Sequence, residues 1–170
     1  MNAIIIIAPQ GYQDIEYETP KTILEKAGIT TTTASKNGGK CVGKLGGTTN
    51  AEFPLRQVVV ADYDIILFVG GPGAVAYQQD TDAHRIAQEA VQRKRLLCAI
   101  CIAPTILAYA GVLKGKKATV WNEDGQQEKV LTRNGAQYTG EDVTVDGRLI
   151  TANGPAAAEK FGRRIVGMAR

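Results

Sequence analysis

Histidine is almost missing: His84 is the only one among 170 residues. A histidine-rich zinc centre, an HExxH protease or a two-histidine facial triad therefore cannot be assembled within one subunit. Any general base must be a carboxylate, a lysine, a tyrosine, a thiolate or His84 itself. Cysteine is scarce as well. Cys41, Cys98 and Cys101 are an odd number that makes no disulfide framework, which fits a reducing, cytoplasmic setting. A surplus of one charge sign is also lacking. Twenty Lys and Arg against 17 Asp and Glu leave +3, and no basic run exceeds Arg93-Lys94-Arg95, too little to mark a nucleic-acid partner. The apolar stretch Ala3 to Ala8 is too short to span a membrane and has no basic n-region of a signal peptide, so no membrane partner or export is expected. Small molecules and further copies of the chain remain as partners.

What is present is an ordinary complement of apolar residues, 44% of the chain. At this length residues 1–170 are expected to form one domain that buries roughly 70% of its unfolded surface. Ile4 to Ile7 reads as a strand covered on both faces. Gln13 to Ala27 has helical spacing and is stopped by Gly28, with Pro20 predicting a kink or a late start to its regular part. Ile29 to Ser35 is a β-branched strand, and glycines bracket a hairpin or irregular excursion from Cys41 to Leu45. Ile65 to Val69 is a strand running into Gly70-Gly71-Pro72-Gly73. Asp82 to Gln92 reads as a helix, Leu96 to Ile100 as a strand, and Ala103 to Ala110 as a helix opened by Pro104 and stopped by Gly111. Short strands follow near Ala118 to Val120, Val143 to Val145 and Leu149 to Thr151, and a final helix runs from Pro155 to about Met168. This alternation predicts an α/β three-layer sandwich, flavodoxin-like, with a mostly parallel central sheet and its ligand site at the carboxyl ends of the strands.

Three features fall at those ends: Gly11 to Glu16, Gly70 to Gly73, and Cys101. Cys101 lies where the strand Leu96 to Ile100 turns into the next helix, and the free N–H groups of a helix start favour a thiolate. A buried structural thiol is the ordinary alternative. Cys98 completes a C-x-x-C with Cys101, but it lies inside a strand, and a zinc site would have only Cys41 and His84 left to draw on; Cys98 reads as structural. Cys41 reads as a surface or half-buried thiol, and His84 as a solvated helix residue.

The segments Gly11-Tyr12-Gln13-Asp14-Ile15-Glu16, Val69-Gly70-Gly71, Ala99-Ile100-Cys101-Ile102-Ala103-Pro104-Thr105 and Ala110-Gly111-Val112-Leu113-Lys114-Gly115-Lys116-Lys117 together resemble the DJ-one/ThiJ/PfpI superfamily, with its class I glutamine amidotransferase-like fold. Asp146-Gly147 to Gly154-Pro155 resembles the closing hairpin and last helix of the same proteins, and the length is similar to that of bacterial and archaeal members. The resemblance implies a strained nucleophile elbow at Cys101 and a glutamate, Glu16, against its sulfur. A protonated carboxyl there would donate to the thiolate and stabilise it. It also implies that the backbone N–H groups of Gly71 and Ile102 form an oxyanion hole or a cradle for an oxidised sulfur. Neither the residues nor the resemblance implies a metal or a cofactor.

The sequence departs from the family's pattern at its histidines. Peptidase-type members have His after the cysteine and a glutamate past the glycine pair of a neighbouring subunit; Ile102 and Val75 stand there. Trp121 stands where glyoxalase and deglycase members place a His. Two expectations follow. One is an enzyme acting on small reactive carbonyls through a hemithioacetal at Cys101, with Glu16 as acid and base. The other is a non-enzymatic oxidative-stress or chaperone-like protein whose Cys101 is oxidised. An intracellular peptidase or an isonitrile hydratase-like hydrolase uses the same elbow in relatives. The resemblance further implies a homodimer, or a hexamer.

Overall fold

The computed structural model describes residues Met1–Arg170. The isoleucine run forms β1 (Asn2–Ile6), and a short β2 (Gln10–Tyr12) leads into α1 (Asp14–Lys26). Then come β3 (Thr30–Ser35), β4 (Gly39–Gly43), β5 (Thr48–Ala51), β6 (Phe53–Pro54) and β7 (Ile65–Phe68). A 3-10 segment, Pro72–Tyr77, precedes α2 (Thr81–Gln92), β8 (Leu96–Ile100) and α3 (Pro104–Tyr109). The remainder comprises β9 (Lys117–Ala118), α4 (Gln127–Arg133), β10 (Gln137–Tyr138), the hairpin β11 (Val143–Asp146) and β12 (Leu149–Ala152), and α5 (Ala158–Ala169).

The central sheet runs β11-β12-β8-β7-β1-β3-β6, and every pairing is parallel except β11 with β12. Side chains alternate across it, so each strand serves two cores. Ile4, Ile6, Ile66, Phe68, Leu97 and Ala99 pack with Ile86 of α2, Ile106 of α3 and Leu131 of α4. Ile5, Ile65, Leu67, Cys98 and Ile100 pack on the opposite face with Tyr17 and Leu24 of α1 and Phe161 and Ile165 of α5. Each fully buried Ile, Leu or Phe contributes on the order of 2 kcal/mol. The result is the mostly parallel α/β sandwich that the alternation predicts.

Local chemistry sets the entry of α1. The Gln13 side-chain oxygen accepts the Ile15 N–H at 2.7 Å, and Asp14 occupies the first turn, where its carboxylate opposes the positive end of the helix. The helix neither starts late nor breaks at Pro20. Pro20 withholds an N–H from the Glu16 carbonyl, yet it is buried against α5, where a Cβ on Gly162 would lie 3.1 Å from the Pro20 Cα. Close packing of the two helices holds the proline within the helical path.

One expectation is narrowed and two are corrected. The excursion around Cys41 is a regular hairpin of β4 and β5, and β4 also pairs in parallel with β2, making a small three-stranded sheet. That pairing buries Cys41 completely, so it is neither a surface nor a half-buried thiol. The segment between β9 and β11, where no helix is expected, carries α4. Asn122 starts it by accepting the Gln127 and Glu128 N–H groups at 3.0 Å.

Candidate active site

The chain goes from β1 through α1 to β3 on one side of β1, and only later adds β7 on the other. In a sheet of this kind the strand order reverses beside β1, leaving a crevice at the carboxyl ends of β1 and β7. The segment after β1 leads to Glu16 in the first turn of α1, the turn after β7 carries Gly70 and Gly71, and the turn after the adjacent β8 carries Cys101. The three segments therefore meet.

Cys101 has φ +65°, a left-handed conformation costly for a residue with a Cβ. Two backbone bonds hold it there: its N–H donates to the Ala152 carbonyl at 2.9 Å, and its carbonyl accepts the Trp121 N–H at 2.9 Å. The strain turns the thiol away from the strand and toward the crevice. Gly70 is what leaves room for it. A Cβ on Gly70 would stand 2.6 Å from the Cys101 Cβ, 2.8 Å from the Ile100 carbonyl oxygen and 3.0 Å from Glu16 Oε1.

Glu16 is completely buried, and neither carboxyl oxygen has a well-aligned hydrogen-bond partner. The Cys101 thiol is the polar group that acts on it directly; Lys44 adds a weaker charge attraction. Burial raises the Glu16 carboxyl to about 8. Burial raises the Cys101 thiol to about 12, with the neighbouring carboxylate adding to the rise, while the N–H groups of Gly71 and Ile102 donate to the sulfur and oppose it. The pair accordingly releases its first proton near 8 and holds the second well above neutrality. With one proton left between them, the two groups share it: a thiol beside a carboxylate and a neutral carboxyl beside a thiolate each keep one hydrogen bond within the pair. The sequence expectation of a thiol acidified by a helix start does not take account of this burial, and α3 is only six residues long.

Cys101 opens into a cleft of about 920 Å³. Its lining includes Gln13, Lys44, Val75, Trp121, Asn122 and Tyr138. Trp121 is thus a wall of the cleft, tied to the elbow through its backbone. The polar lining from Asn122 to Gln127 follows from α4, which sequence patterning does not reveal; the Asn122-x-Asp124-Gly125 turn before it is the signal present. Gln13 lies inside the Gly11 to Glu16 motif without being singled out by it. Cys98 is fully buried in β8, and burial pushes its thiol up. His84 is half-buried rather than solvated, with Nε2 2.7 Å from the Gln78 carbonyl. No group of three or more His, Cys, Asp or Glu side chains gathers to hold a metal, and no helix is long and apolar enough to cross a membrane.

Known proteins are similar to this chain across its length. The description DJ-1/PfpI family matches residues 1–168. A protein of Methanocaldococcus jannaschii is 36% identical over 164 residues, 96% of this chain and 80% of its own length. A protein named as a deglycase, from Thermococcus kodakarensis, is 27% identical over 169 residues, 98% of this chain and 99% of its own. The crystal structure of a ThiJ/PfpI domain protein from Brachyspira murdochii is similar with a TM-score of 0.93 at 31% identity, covering 98% of this chain and 94% of that one.

Proposed function

From the premise that this chain belongs to the DJ-1/PfpI family, we propose that it converts small reactive carbonyls, with Cys101 as nucleophile and Glu16 as general acid and base. The observation that carries this reading is the Glu16 carboxyl, fully buried without a fixed partner, against a thiol that opens into a cleft. A carboxyl that titrates near 8 can give and take a proton at neutral pH.

With methylglyoxal as substrate, the Cys101 thiolate adds to the aldehyde carbon and the carbonyl oxygen takes a proton, giving a hemithioacetal. Glu16 removes the hydrogen from that carbon as a proton, an enediol forms, and a proton returned to the neighbouring carbon leaves a thioester of lactate. Water then cleaves the thioester and restores the thiol. The sum is methylglyoxal plus water to lactate, with no external oxidant or reductant. The Gly71 and Ile102 N–H groups steady the sulfur through the cycle.

The test is lactate formation from methylglyoxal by the purified protein. Activity that vanishes in Cys101→Ser and falls at least a hundredfold in Glu16→Gln, the usual scale of a general acid or base, supports the reading. No turnover, with a two-oxygen mass gain on Cys101 after mild peroxide, would replace it with the oxidation-sensing one. A peptidase finds no support at the sulfur, because Ile102 follows the cysteine and His84 bonds elsewhere.

A further inference from the structure

The two N–H groups that point at the Cys101 sulfur come from different elements. Gly71 starts the 3-10 segment after β7, and Ile102 lies in the turn after β8. Their spacing is fixed only if those two pieces of chain are fixed to each other.

A chain of hydrogen bonds joins them through residues that do not line the cleft. The Gln78 side-chain amide, at the end of the 3-10 segment, donates to Thr105 Oγ1 at 2.9 Å. Thr105, fully buried in α3, donates its hydroxyl to the Ile102 carbonyl at 2.6 Å. One hydroxyl thus accepts from one piece and donates to the other, using both its capacities. Two further bonds hold the Gln78 end. His84 Nε2 lies 2.7 Å from the Gln78 carbonyl, and because a carbonyl only accepts, Nε2 carries the proton. Tyr77 donates its hydroxyl to the Ile7 carbonyl at 2.8 Å, tying the same segment to the end of β1.

We propose that Gln78 and Thr105 are positioning residues for Cys101, a cross-brace that holds the Gly71 and Ile102 N–H groups at the spacing at which both reach the sulfur. His84, the single histidine, supports the brace rather than the chemistry. The inference rests on the reading that these N–H groups hold the reactive sulfur. It does not rest on turnover of any carbonyl.

The test is the rate of Cys101 alkylation by iodoacetamide against pH, read by peptide mass spectrometry; Cys41 and Cys98 are fully buried and do not compete. Thr105→Val keeps the shape and removes the hydroxyl. It slows alkylation at pH 7.5 about fivefold, the loss of one charge-assisted hydrogen bond, and displaces the profile to higher pH. Thr105→Ser retains the rate within about twofold, and Gln78→Leu, at a half-exposed position that tolerates change, repeats the Thr105→Val effect. The double variant is no slower than the worse single one, because both cut the same chain. Wild-type profiles in Thr105→Val and Gln78→Leu would overturn the proposal. So would an equal loss in Thr105→Ser or additive losses in the double variant, which would assign the effect to packing. Missing lactate formation would leave these outcomes unchanged.

Discussion

Burial of Glu16 makes the stability of the fold depend on pH. The Glu16 carboxyl titrates at about 8 in the folded chain against an ordinary 4.5. Between those values the unfolded chain has given up the proton and the folded chain has kept it, so stability falls as pH rises from about 4.5 to 8. The stabilisation lost over that window is at most about 5 kcal/mol. Glu16→Gln mimics the protonated acid at every pH. Thermal unfolding of the two proteins is therefore expected to coincide near pH 5 and to separate by roughly 10 °C in favour of the variant near pH 8. Parallel curves would mean that Glu16 is solvated. The sequence makes Glu16 a candidate through the motif Gly11 to Glu16, but not its state, because the carboxyl is packed against the Gly70 turn and Cys101, both remote in the chain. Cys41 shows the same limit. Nothing in its glycine-rich surroundings reports the pairing with β2 and β5 that buries it.

At the scale of elements, the legible parts are those whose pattern is local. The apolar runs that become β1, β7 and β8 need only their own composition to read as covered strands, and Gly28 and Gly111 mark the ends of α1 and α3 at positive φ. The helix α4 is illegible because it is seven residues long and buries only Leu131, too little to show a period. It nevertheless helps build the outer wall of the cleft. The turns carry the chemistry, and Gly70 is the glycine packed directly against the elbow. Gly70→Ala places a methyl 2.6 Å from the Cys101 Cβ and 2.8 Å from a backbone oxygen, and neither can yield without moving the elbow. The variant is expected to lose about 1–3 kcal/mol in denaturant titration, with lactate formation lost alongside. Wild-type stability would show that the turn is looser than the three-way contact implies.

For the whole molecule, the order of strands does most to create the site. Reversal beside β1 brings three segments, thirty residues or more apart, to one crevice, and the near absence of histidine leaves a carboxyl as the partner of the thiol. The single histidine braces the back of the site instead of entering it. The central claim is that Cys101 and Glu16 ionise as a pair. The pH dependence of Cys101 alkylation in wild type and in Glu16→Gln tests it most directly. A wild-type midpoint well above the ordinary thiol value, displaced to lower pH in Glu16→Gln because the neighbouring carboxylate no longer adds to the rise, is the predicted result. Identical profiles in the two proteins, both at the ordinary thiol value, would contradict it.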